Sequence, residues 1–346
     1  MKILISVCSE GMGHATRSKT IADHLKKQGH DVRITAGVRA YTYILEDYPT
    51  TTYADGLHIV YRNNKAHISL SILNNILHLP IQLKSLWATK KLFDEFKPDL
   101  VISDYTFIAP YLAKLKKIPV ITIDNIRVSS FTRIGVGLRN ALGLLSVKLY
   151  SGLMASAEHI IPAFFFPPVK AHLTERVTLC DPPLSEKIIK QNPHKKNYIL
   201  VYQTHSSHSK LTEHLKRIDH KFIVYGMHKE EKEDNLQFKT FSDEFITDVA
   251  NAEAVITNGG FTLLAEALYF KKPILSIPVY NQFEQELNAI YIDRLGYGKH
   301  LKKSSVEDIK KFIKNKHKYE NSLDKYNPDP VQCLKVLDQK IKKLTA

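Results

Sequence analysis

The 346-residue chain has only three cysteines, Cys8, Cys180 and Cys333. They are scattered, odd in number and without CxxC spacing, so a disulfide framework is not expected and a reducing compartment is. No Asp-x-Asp pair occurs anywhere, which argues against a diphosphate held through a divalent metal. No apolar run reaches the ~20 residues that a membrane-spanning helix needs. Met1-Lys2 leads straight into a short apolar stretch, so no signal peptide is expected. Internal repeats and low-complexity segments are absent beyond a bias towards lysine. Basic residues are not interleaved with aromatics in the manner of a nucleic-acid-binding motif, so nucleic acid is not an expected partner, although charge alone does not exclude it.

What is present suits a soluble globular protein: 44% hydrophobic and 24% charged residues. The length allows two domains. The net charge is +14, and half of it lies in residues 299–346, where 13 lysines face 6 acids. A basic balance suits a nucleotide, a phospholipid surface or another anion; a solvated lysine-rich helix accounts for it equally well.

Lys2 to Val7 is a continuous apolar run of the kind that forms a buried parallel strand. Cys8 to Ser18 follows (CSEGMGHATRS), then a helix to about Lys27 and a second strand over Val32 to Ala36. This β-loop-α-β start points to a doubly wound parallel sheet. The turn is not a dinucleotide fingerprint, because Thr16 replaces the third glycine and Gly37-Val38-Arg39 replaces the acid after the second strand. His14 is instead placed at the carboxyl end of the first strand, where open α/β sheets bind ligands. Residues 64–97 read as helical, with Ile72, Ile76, Leu79, Leu83, Leu86 and Trp87 spaced three or four apart and expected mostly in the core. Two strand-like phrases end in Asp104 and Asp124; either acid also fits a helix N-cap. The apolar, basic stretch 131–154 reads as a buried helix or an interfacial element. Paired prolines at 167–168 and 182–183 suggest a connector.

A second series of strands follows, at 198–202, 222–225, 236–240, 254–256, 273–277 and 299–301. Its most informative stretch is Thr257 to Ala289. A strand runs into Asn258-Gly259-Gly260, then into a helix beginning Phe261-Thr262 and carrying Glu266. Glycines admit close backbone approach to a ligand, and a helix N-terminus offers N–H groups and a positive dipole end to phosphate. A carboxylate two turns in can accept hydrogen bonds from two ribose hydroxyls. Asn281 and Gln282 follow the next strand. Two glycines before a helix are by themselves also an ordinary helix entry. His205 and His208 lack a carboxylate or cysteine cluster, so no metal site is expected.

Taken together these phrases resemble the nucleotide-sugar signature of GT-B glycosyltransferases, specifically the UDP-glycosyltransferases and the peptidoglycan N-acetylglucosaminyltransferase group. The resemblance implies an α/β fold of two Rossmann-like, doubly wound parallel-sheet domains facing a cleft. It implies a UDP-sugar donor contacted by Gly13, Thr204, Ser206, Asn258, Gly259, Gly260, Phe261 and Thr262, with Glu266 on the ribose and Asn281 and Gln282 on the sugar. His14 would be the general base and Asp104 would orient it, without metal or cofactor and with inversion. Asn258 stands where many relatives have His, Asn281 where many have Asp, and Leu263 where a small hydroxyl residue is usual. The loop after residue 202 keeps hydroxyls but lacks glycine. The implied division is an acceptor-binding domain over 1–163, a linker over 164–185, a nucleotide-sugar domain over 186–327 and a basic helix over 328–346 that folds back on the first domain. The acceptor is open, with lipid or glycan favoured. The expected location is cytoplasmic, with peripheral contact to the anionic inner face of the cell membrane. A UDP-sugar 2-epimerase of the same fold and a non-catalytic nucleotide-sugar or lipid binder are the alternatives; the amide pair Asn281-Gln282 suits the epimerase poorly.

Overall fold

A computed structural model describes residues 1–9, 11–62, 65–135, 145, 147–148, 158–203 and 209–345. The chain opens with strands β1 (Lys2–Val7), β2 (Asp31–Ala36) and β3 (Thr52–Tyr53). A hairpin of β4 (Tyr61–Arg62) and β5 (Lys65–Ala66) precedes β6 (Leu100–Asp104), β7 (Val120–Ile123), β8 (Glu158–Pro162) and β9 (Val177–Cys180). The later strands are β10 (Ile199–Tyr202), β11 (Phe222–Tyr225), β12 (Glu231–Glu233), β13 (Leu236–Lys239), β14 (Ala254–Thr257), β15 (Ile274–Ser276) and β16 (Gly298–His300).

Two compact units result. The first comprises residues 1–60, 68–185 and 329–346, and the second 61–67 and 186–328. In the first, the described strands form one parallel sheet ordered β3-β2-β1-β6-β7-β8-β9. Side chains alternate along β1. Ile3, Ile5 and Val7 face the first helix (Met12–Lys27) and the last one (Gln332–Thr345), packing with Ile21, Leu25, Cys333, Leu337 and Ile341. Leu4 faces the opposite layer with Val101, Phe93 and Leu112. Burial on both faces explains why β1 reads as an unbroken apolar run.

Two expectations change here. The 164–185 stretch contributes β9 to the first sheet, and Phe164 and Phe165 are buried; paired prolines punctuate the chain without freeing it. Tyr61–Arg62 and Lys65–Ala66 pair as antiparallel strands, and the helices are Ile68–Leu77 and Leu79–Phe96. Their apolar stripe is not core: Ile76 is 62% and Trp87 67% exposed, and Ile72, Leu79, Leu83 and Leu86 are exposed too. The second of these helices buries Ser85, Thr89, Phe93 and Phe96 instead. The Ser85 and Thr89 hydroxyls donate to carbonyls one turn back, which satisfies them and leaves a slim face for packing. Most of the 131–154 stretch lies outside the described residues. Among the described residues no helix is long and apolar enough to cross a membrane.

The second unit repeats the plan, with its described strands ordered β12-β13-β11-β10-β14-β15-β16. Only β12, at the edge, is antiparallel to its neighbour. Its core gathers Ile199, Val201, Leu215, Phe222, Val224, Ile256, Leu275 and Phe312. The 61–66 hairpin joins this unit through a bridge between Lys65 and Tyr280, where Ala66 N–H donates to the Tyr280 carbonyl at 2.9 Å.

Candidate active site

Strand order in the first sheet reverses between β1 and β6, and open α/β sheets bind ligands at the carboxyl ends of strands at such a reversal. Val7 lies in register with Asp104 across that junction. The Met12–Lys27 helix starts just beyond β1 and carries His14 in its first turn. Its Nδ1 lies 2.7 Å from Asp104 Oδ1. Asp104 is fully buried, whereas the His14 side chain keeps 13% exposure. Burial alone would raise the Asp104 carboxyl; the charges of Arg17 and His14, with their hydrogen bonds, overcome this and hold it below the usual carboxylate range. Ser18 Oγ donates to Asp104 Oδ2 at 3.1 Å, and the Cys8 N–H donates to the Asp104 carbonyl at 3.0 Å. A carboxylate held this way fixes one imidazole nitrogen and leaves the other for a proton from outside. Asp124, the other strand-end acid, pairs with buried Arg127 instead.

The second sheet has the same kind of reversal, between β10 and β14. The loop after β10 would carry Thr204 and Ser206, which lie outside the described residues. After β14 comes Asn258, which is buried and braces three strand ends. Its amide donates to Gln203 Oε1 at 2.9 Å and to the Ile277 carbonyl at 3.2 Å. Gly259 sits at φ +93, and a Cβ there would meet the Gln285 carbonyl oxygen at 2.9 Å. Gly260 has open space on its Cβ side and opens the Phe261–Tyr269 helix, which has no side-chain cap. Thr262 is half-buried in the first turn, and Phe261 packs inward.

Glu266 is 8% exposed, and among the described residues nothing pairs with its carboxylate. Burial pushes it up to about 8. A buried, unpaired acid is costly unless protonated or met by donors from a ligand. Asn281 adopts φ +64 and its amide reaches the Ala66 carbonyl at 3.5 Å. Gln282 caps the Phe283–Arg294 helix, its Oε1 accepting from Glu284 N–H. Among the described residues no three His, Cys, Asp or Glu side chains group as a metal site.

Residues 1–316 match the family model described as glycosyl transferase family 1. The chain belongs to that family. It is 29% identical to an uncharacterized glycosyltransferase of Methanosarcina mazei over 344 residues, covering 89% of this chain and 88% of the relative. It is 25% identical to a Clostridium botulinum UDP-N-acetylglucosamine--N-acetylmuramyl-(pentapeptide) pyrophosphoryl-undecaprenol N-acetylglucosamine transferase over 350 residues, covering 93% and 92%. Among solved structures, a calicheamicin glycosyltransferase superposes with a TM-score of 0.69 at 14% identity over 99% of this chain and 98% of that one. A spinosyn forosaminyltransferase gives 0.67 at 14% identity, covering 99% of each chain. The protein is therefore a glycosyltransferase of the GT-B fold, and a nucleotide-sugar donor and an acceptor follow from the family.

Several residues of this glycosyltransferase escaped the sequence reading. Arg17 and Asn125 join the His14–Asp104 pair, with Arg17 gripping both carboxylate oxygens. The signal for Arg17 was its place one turn after His14, on the same helix face. Gln285 and Asn288, also one turn apart, hold the Val279 N–H and the Gly259 carbonyl and so set the shape of both loops. An amide pair on a helix carries no sequence signature by which its loop partners are known.

Proposed function

We propose that this glycosyltransferase moves a sugar from a UDP-sugar to an acceptor hydroxyl in one inverting, metal-independent step. The observation that carries the reading is the 2.7 Å contact between His14 and buried Asp104 at the reversal point of the first sheet. In this reading the second unit holds the donor and the first supplies the base. With Nδ1–H donating to Asp104, the His14 Nε2 lone pair takes the acceptor's proton as its oxygen attacks the anomeric carbon. The bond to the diphosphate breaks on the opposite side and the configuration inverts. Charge developing on the leaving diphosphate is met by the N–H groups of the uncapped Phe261–Tyr269 helix and the Thr262 hydroxyl. In this reading Glu266 accepts from the ribose hydroxyls, and the Gln282 amide and Asn281 read the sugar's hydroxyls.

The acceptor favoured is a lipid or a glycan at an anionic membrane surface. Supporting this are the exposed stripe carrying Ile72, Ile76, Leu83 and Trp87 and the exposed Lys84 beside it. The Clostridium botulinum relative, named for an undecaprenol-linked acceptor, points the same way.

A thermal-shift panel of UDP, GDP, TDP and their sugars tests the donor, since stabilisation follows affinity. The expected result is selective stabilisation by UDP-sugars in EDTA. A flat response to all of them, or one that requires a divalent metal, sinks the donor reading. His14→Ala should keep that response and lose turnover; a variant that still transfers sugar removes His14 from its role.

A further inference from the structure

Arg17 makes more contacts around the base than a structural ion pair needs. Its Nε donates to Asp104 Oδ2 at 3.1 Å and its Nη2 to Asp104 Oδ1 at 2.6 Å. Its Nη1 donates to Asn125 Oδ1 at 3.3 Å, and the residue is buried. The same Nη2 lies 3.0 Å from His14 Nδ1, the atom that also lies 2.7 Å from Asp104 Oδ1. One ring nitrogen carries either a hydrogen or a lone pair. Nδ1 therefore cannot donate to Asp104 and accept from Arg17 in the same state.

We infer that Arg17 is a positioning residue that competes with Asp104 for His14 Nδ1, and so sets the tautomer of the base. This rests on His14 being the base of the proposed reaction. With the Nδ1 hydrogen donated to Asp104, Nε2 is bare and ready to take a proton. With Nδ1 accepting from Arg17, the hydrogen sits on Nε2 and the base is idle.

The charged groups on the elements packed around His14 are consistent with this balance. Arg17 is on its own helix, Asp104 ends β6, and the Asp124–Arg127 pair after β7 is internally neutralised. Asn125 between them is uncharged, and Glu10 lies outside the described residues.

The test is 15N NMR of the imidazoles in the labelled full-length chain, with the His14 signals identified by their loss in His14→Gln. Arg17→Gln should move the His14 15N shifts towards the Nδ1–H tautomer. Arg17→Lys, which keeps a charged donor, should leave them near those of the unaltered chain. Unmoved shifts in Arg17→Gln, or an equal move in both variants, overturn the inference. If Arg17→Gln does not fold, Asp104→Asn decides: with Arg17 unopposed the shifts should move towards the Nε2–H tautomer, and unmoved shifts overturn the inference. The shifts do not depend on turnover. A His14→Ala enzyme that still transfers sugar would therefore end the catalytic reading and leave the tautomer result to be judged separately.

Discussion

At the scale of single residues, two groups carry chemistry that substitution can expose. His14→Ala should lower kcat by about 10²–10⁴-fold, the usual worth of a positioned base, while nucleotide-sugar affinity read by calorimetry stays nearly unchanged. Glu266 has the opposite character, an acid held protonated by burial. Its ordinary value is 4.5 and the fold raises it to about 8. Below the lower value the folded and unfolded chains hold the proton alike, and the contribution to stability is full. As pH climbs through the higher value the folded chain must ionise a buried carboxyl, and that contribution is lost. Glu266→Gln should therefore flatten the fall in melting temperature between pH 5 and pH 9. A ribose that hydrogen-bonds the ionised form should also drive proton release on UDP-sugar binding at pH 7, seen as a buffer-dependent binding enthalpy. Equal pH slopes in both proteins would show that Glu266 is solvated in solution.

At the scale of elements, the β14–helix junction and the exposed helical stripe make separate predictions. Gly259 sits at a positive φ with a backbone carbonyl 2.9 Å from its absent Cβ. Gly259→Ala should cost more than ~1 kcal/mol and weaken UDP-sugar binding, because relief of the clash shifts the loop that opens the Phe261–Tyr269 helix. The stripe over 72–87 should behave differently. Ile76→Glu with Trp87→Glu should change stability by less than ~0.5 kcal/mol for each exposed site, yet abolish co-sedimentation with anionic vesicles. Retained sedimentation would leave the stripe without its proposed role.

At the scale of the molecule, the last helix is an integral part of the first unit although it is the farthest from it in sequence. Cys333 and Leu337 are fully buried against the first sheet, and Lys340 pairs with Glu158 at 2.6 Å. Leu337→Ala should cost about 2–5 kcal/mol, as buried leucine truncations do. The loss should appear as reduced amide protection in β8 and β9, with the second unit's strands unaffected. Uniform loss over both units would mean that they unfold as one.

Much of this architecture follows from local pattern. Continuous apolar runs announce buried parallel strands, and a strand followed by glycines and a helix announces a place for an anion. His14, Asp104 and the 257–289 phrase were legible for that reason, because each sits at a strand's carboxyl end where backbone geometry limits what can stand there. The partnerships were decided only in three dimensions. Arg17 and Asn125 are 108 positions apart, and the β4–β5 hairpin joins residues more than 200 positions later. The apolar stripe over 72–87 has the period of a buried helix face, and periodicity records which side chains share a face without saying what covers it. The slim hydroxyl face beside it could be known as the packing side only once the sheet was in place.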